Sequence, residues 1–187
     1  MKVSLSRLSA MALFAVTLSA SASSIDAGKS QITASFRQMN VPVEGRFTSF
    51  SGNIVFDSKK LSAAQARIEI DTASFDVGAP EYNDELRAKE WLDSSTHPKA
   101  SFVSTRVSAN GPSRFEASGK LNLKGKTSDI KIPFTQRLEG NSWIYEGEFP
   151  LSRKFYSIGG PAWDKTVDDQ VVVKFRIVTV PKPSNSK

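Results

Sequence analysis

Phe115-Glu116-Ala117-Ser118-Gly119-Lys120-Leu121-Asn122-Leu123 alternates without a fault, odd positions apolar or small and even positions polar. Side chains on an extended chain point to opposite faces with a period of two, so this pattern predicts a strand with one dry face. Lys124-Gly125-Lys126 turns the chain, and Ile130, Ile132, Phe134 and, further along, Leu138 give the next dry face. Glu139-Gly140-Asn141 turns it again, and Trp143, Tyr145, Gly147, Phe149 and Leu151 continue the period. Tight turns between such runs describe an antiparallel meander.

The same reading extends in both directions. Ile32, Ala34 and Phe36 share a face in the run Ser30 to Gln38, before a break at Met39-Asn40-Val41-Pro42. Val43 to Phe47 and Gly52 to Asp57 are two further extended runs, with Ile54 and Phe56 on one face. Ile68 and Ile70 alternate with Arg67, Glu69 and Asp71. From Ala100 to Val107 two registers fit, one facing Phe102 inward with Ser104 and one facing Val103 inward with Val107. After a long loop at 155–169, Val171, Val173, Phe175 and Ile177 form the last dry face. Between Glu81 and Leu92 the apolar spacing changes towards 3.6, with Pro80 suited to a helix start, which predicts one helix. About eight strands and a helix imply a mainly β fold, an antiparallel eight-stranded barrel whose closure removes exposed edges.

Ends and composition bound the function. Lys2 and Arg7 precede an apolar run from Leu8 to Leu18, and Ala20-Ser21-Ala22 suits a cleavage site, so residues 1–22 are read as a signal peptide. The domain then covers 23–181, and 182–187 is a polar tail. An exported chain without cysteine fits a bacterial periplasm and holds itself together by its core alone. The net charge is +6, two units of which belong to Lys2 and Arg7, leaving a modestly basic body suited to transient contact with an anionic membrane surface. The Lys and Arg residues are spread, with no run of five like charges, so nucleic acid is not an expected partner. One histidine and no cysteine leave no thiol nucleophile, no metal cluster and no Ser-His-Asp set. A carboxylate pair from Asp71 and Asp76, or Glu81 with Asp84 and Glu85, is the remaining enzymatic option, but caps and helix-dipole pairing explain those residues as well. The expectation is a binding protein with no cofactor and no metal.

Several segments in order resemble the YceI family of exported bacterial proteins: Phe47 to Asp57, Asp71-Thr72-Ala73-Ser74-Phe75-Asp76, Asn83-Asp84-Glu85-Leu86-Arg87 with Trp91-Leu92-Asp93, His97 to Ser104, and Gly119 to Thr127 as a G-x-L-x-L-x-G-x-T hairpin. Lys29-Ser30 stands where the family often has a His-Ser pair, and Asn83 where its helix motif has an arginine. The resemblance implies a lipocalin-like barrel with a helix near its opening. It also implies an apolar channel for a polyisoprenoid or an isoprenoid quinone such as ubiquinone, and for some relatives an association with a membrane cytochrome b.

The inward faces supply candidates for the channel: Phe36, Phe47, Phe56, Ile68 and Ile70, then Leu86, Trp91, Phe102, Phe115 and Leu121, then Ile132, Phe134, Trp143, Phe149 and Phe175. Small residues at Ala34, Ala117, Gly119 and Gly147 are interleaved with them and are expected to leave room; a filled core is the alternative. Arg87, Arg153 and Lys154 are head-group candidates, and Ser104 or Tyr145 could bond a quinone oxygen. The loop carrying Tyr156 and Trp163 is either a docking surface for an envelope complex or a cover folded over the barrel end. Pairing into a homodimer is left open.

Overall fold

The computed structural model describes residues 22–180; the signal peptide reading and the polar tail lie outside the described residues, except for Ala22. Among the described residues there are eleven strands: β1 (Ser23–Ile25), β2 (Gln31–Gln38), β3 (Val41–Phe47), β4 (Phe50–Val55), β5 (Gln65–Asp71), β6 (Phe75–Asp76), β7 (Lys99–Ala109), β8 (Arg114–Leu123), β9 (Lys126–Glu139), β10 (Ser142–Ser152) and β11 (Gln170–Val180). The first six are three long strands, each interrupted by a kink: β1 with β2, β3 with β4, β5 with β6. Every pairing is antiparallel, and β11 returns to both β1 (Ile25 opposite Thr179) and β2 (Ile32 opposite Phe175), which closes eight strands into a barrel.

The turns follow from local chemistry. Met39 and Asn40 both have positive φ, as do Lys124 and Gly125. That is the handedness two-residue hairpins need to match strand twist. All loops therefore fall at two ends. The β7–β8 and β9–β10 hairpins and the 56–64 connection lie at one end. The other, the helix end, carries α1 (Pro80–Arg87), the 153–169 segment and the turns at 39–40 and 124–125.

β8 alternates as expected: Phe115, Ala117, Gly119, Leu121 and Leu123 are buried. β7 satisfies half of each register offered for it. Phe102 and Val107 are both buried while Val103 is 39% exposed, because the β7–β8 register shifts between Ser104 and Arg106. Thr105 is an extra residue, and such a bulge reverses which parity faces inward. The helix is shorter than the spacing predicts. Ala88 is already extended, and the chain turns back so that Trp91 and Leu92 are buried, while Tyr82 stays exposed. A cap over a barrel end cannot run on as a straight helix and still place both side chains inward.

Candidate functional site

Among the described residues, two apolar cavities of about 140 and 120 Å³ lie within the barrel. The first lies towards the hairpin end. Of the predicted channel residues, Phe56, Ile68, Phe102, Ile132, Phe134 and Phe175 border it. The second lies under α1 and the 153–169 segment, and Phe36, Phe47, Leu86 and Trp91 border it. Ile70, Leu121 and Phe149 border both, as do Ile32, Ala100 and Val173. The cavities are therefore stacked along the barrel axis and share a ring of lining residues. Each is about the size of a cavity, roughly 150 Å³, that stays dry and accepts an apolar ring.

Two channel candidates are placed elsewhere. Phe115 is buried but borders neither void; its ring packs on Phe56 (4.9 Å between centroids) and Phe134 (5.5 Å), closing the hairpin end. Trp143 borders neither cavity. It stands at the rim, 36% exposed, across from Leu138, itself 57% exposed. Alternation assigns a face but not a depth, and the second pair beyond the turn, Trp143 with Leu138, projects past the end of the core.

The interleaved glycines do not leave the room expected of them. A Cβ on Gly119 would fall 2.6 Å from the Phe102 ring, and one on Gly147 would fall 2.8 Å from the Phe175 ring. These positions seat phenylalanines laid across the neighbouring strand, a known way to pack a curved sheet.

The head-group candidates also change. Arg153 is 1% exposed. Its Nε donates to the Asp168 carbonyl, Nη1 to those of Ile158 and Gly159, and Nη2 to those of Trp163 and Val167 and to the Asp164 carboxylate. The guanidinium has five N–H donors, so none is left for a ligand. The correction is physical: this arginine pins the 153–169 segment from within, and that segment is a cover, with Tyr156 buried and Trp163 5.1 Å from Trp91 between ring centroids. Lys154 is paired with Asp164 at 3.3 Å, and Arg87 donates to the Ala73 carbonyl and to Asp84; neither borders a cavity.

Asn83 is a helix anchor. Its Nδ2 donates to Asp76 and its Oδ1 accepts from the Val77 amide. Together with the Gly78 amide, the Asn83 bond holds the Asp76 carboxyl below the usual carboxylate range. Ser104 Oγ accepts from the Ala66 amide at the bulge, a local role. Tyr145 does border the first cavity; burial pushes its phenol up, partly offset by the Gln136 and Thr179 side chains, so it stays protonated at neutral pH. The channel candidates omit Ala100, Tyr145 and Val173, although each lies two residues from one of them on the same face.

The profile of the YceI-like domain family matches residues 24–179. The chain belongs to the YceI-like family. Among solved structures, this YceI-like chain is similar to BcnA of Burkholderia cenocepacia, with a TM-score of 0.80 and 38% identity over 82% of this chain and 98% of that one. It also shares its fold with a polyisoprenoid-binding domain from Saccharophagus degradans, implicated in plant cell wall breakdown (TM-score 0.70, 18% identity, 88% and 100% covered). Among curated proteins, a UPF0312 protein of Pseudomonas paraeruginosa is 35% identical over 63% of this chain, and one of Vibrio parahaemolyticus 32% over 48%. Those matches span 66% and 48% of the relatives' own length. Among the described residues no helix is long and apolar enough to cross a membrane.

Proposed function

We propose that this YceI-like barrel is a periplasmic carrier for a long isoprenoid amphiphile, its prenyl tail running through both cavities. The observation that carries this reading is the shared lining: Ile32, Ile70, Ala100, Leu121, Phe149 and Val173 border both voids. Rotamer changes merge them into one channel. The polyisoprenoid-binding domain of Saccharophagus degradans, which shares this fold, supports the same class of ligand.

Energetics favour a carrier over a sink. Burial is worth about 0.8 kcal/mol per CH₂, so a tail of tens of carbons has a gross affinity for any dry channel that exceeds the ~20 kcal/mol ceiling of real complexes. Ordering a flexible chain opposes it, and the bilayer already shelters the tail, so transfer from membrane to protein lies near balance. Tyr145, the phenol that borders the first cavity, is placed to donate to a quinone oxygen lodged there. Extraction of protein purified from the periplasm, followed by mass spectrometry, is expected to yield one isoprenoid per chain and to identify its head. A folded protein with no lipid would overturn the proposal.

A further inference from the structure

β9 and β10 pair only from Ser142 opposite Glu139 to Gly147 opposite Phe134. Beyond that point both strands continue, β9 back to Lys126 and β10 on to Ser152, yet no pairing joins them. Each keeps its other partner: β9 pairs with β8 to Lys126, and β10 with β11 to Ser152. The barrel wall is thus split along a seam at the helix end. Each lip carries a proline, Pro133 on β9 and Pro150 on β10. Proline has no N–H to give to a ladder, and within sheets it belongs to edges. Both lips are therefore built as edges, in the middle of an otherwise closed wall.

The seam opens on the cavities. Ile132 from one lip borders the first; Leu151 from the other borders the second; Phe149 borders both. Across it lies a strap, Phe155-Tyr156-Ser157, fastened by side chains. The Tyr156 hydroxyl bonds the Ser128 hydroxyl on β9. Lys126 Nζ donates to the Phe155 carbonyl and to Ser157 Oγ, both at 2.8 Å, and Lys124 Nζ donates to the Ser157 carbonyl at 2.7 Å. The covers at the barrel end are held differently: Arg153 fixes the rest of the 153–169 segment from inside through six contacts.

We infer that apolar ligands enter and leave sideways, through the β9–β10 seam, with the 155–157 strap as its gate. The inference rests on the carrier reading for its physiological meaning, but not for its test. A lateral slot suits a long tail, which slides in along its length instead of threading end-on past the Phe56, Phe115 and Phe134 rings or beneath α1. Parting the strap removes four side-chain hydrogen bonds and breaks no strand pairing.

The test uses N-phenyl-1-naphthylamine, a probe that fluoresces when it enters a dry cavity, so it needs no natural lipid. Continuing the β9–β10 register sets Lys131 opposite Pro150, both exposed. A Lys131→Cys, Pro150→Cys variant, folded first and then bridged by a short bismaleimide, is expected to load the probe at least tenfold more slowly than its unbridged form. Pro133→Thr with Pro150→Thr, which restores two donors, is expected to slow loading as well. Tyr156→Phe with Lys126→Ala is expected to speed it several-fold while leaving the final amount bound unchanged. An equal loading rate with the seam bridged overturns the inference. So does a block produced instead by bridging α1 to β6 through Asp76→Cys and Asn83→Cys. Absence of lipid in the purified protein counts against the carrier reading alone; unchanged probe kinetics counts against the seam alone.

Discussion

Arg153 shows how a residue can look functional in sequence and be structural in space. A basic residue in a loop near a barrel mouth reads as an anion ligand; burial and five carbonyl acceptors make it a staple. Replacing it strands those carbonyls without a donor. Arg153→Met is therefore expected to destabilise the protein by roughly 3 kcal/mol or more, lowering Tm by about 6 °C or more. Thermal unfolding followed by circular dichroism checks this, and a change under about 1 kcal/mol would mean that the staple is unimportant. The two glycines carry a related lesson. Gly119 and Gly147 read as space left for a ligand, but each is space taken by a phenylalanine from the adjacent strand. Composition along one strand cannot report what leans over from the next.

Among the elements, α1 is one whose attachment depends on ionisation. It has one buried residue, Asn83, and that side chain is held by Asp76. The Asp76 carboxyl has a folded-state pKa below its unfolded value. Its contribution is therefore complete above the unfolded pKa of about 3.9 and is lost as pH falls through the folded value. Protection factors at residues 80–87, with the intrinsic pH dependence of amide exchange divided out, are accordingly expected to be steady across neutral pH and to fall only below about pH 4. Asn83→Ala should produce the same loss of protection at pH 7. Protection that persists in that variant would show that Leu86 and the Arg87–Ala73 bond hold the helix without Asn83. The strands are legible because a half-buried antiparallel sheet writes its faces into a period of two. β8 reads directly, whereas β7 offers two registers because Thr105 breaks its period. The Trp91–Leu92 turn is hidden because burial over the barrel end, and not local propensity, ends α1 at Arg87.

At the scale of the whole molecule, most residues that border the two cavities can be assigned from sequence, because the inside of a barrel is the sum of the dry faces of its strands. What alternation leaves out is the axial coordinate, and that is where Trp143 and Phe115 are misplaced. Closure itself has no local signature either. The pairing of β11 with β1 and β2, and the seam between β9 and β10, are relations between segments, although Pro133 and Pro150 mark the lips for a reader who asks why a central strand would carry a proline. A carrier of long tails needs a dry space that runs past the level of Ala100, which borders both voids and is 5% exposed. Ala100→Leu puts three more carbons at that level at a cost of about 1–3 kcal/mol, tolerable for a folded domain. Native mass spectrometry of the periplasmic protein and this variant is the most direct measurement. The account predicts one isoprenoid on each wild-type chain and a lost or markedly shortened lipid on Ala100→Leu; bare wild-type protein, or the same lipid on both, would contradict it.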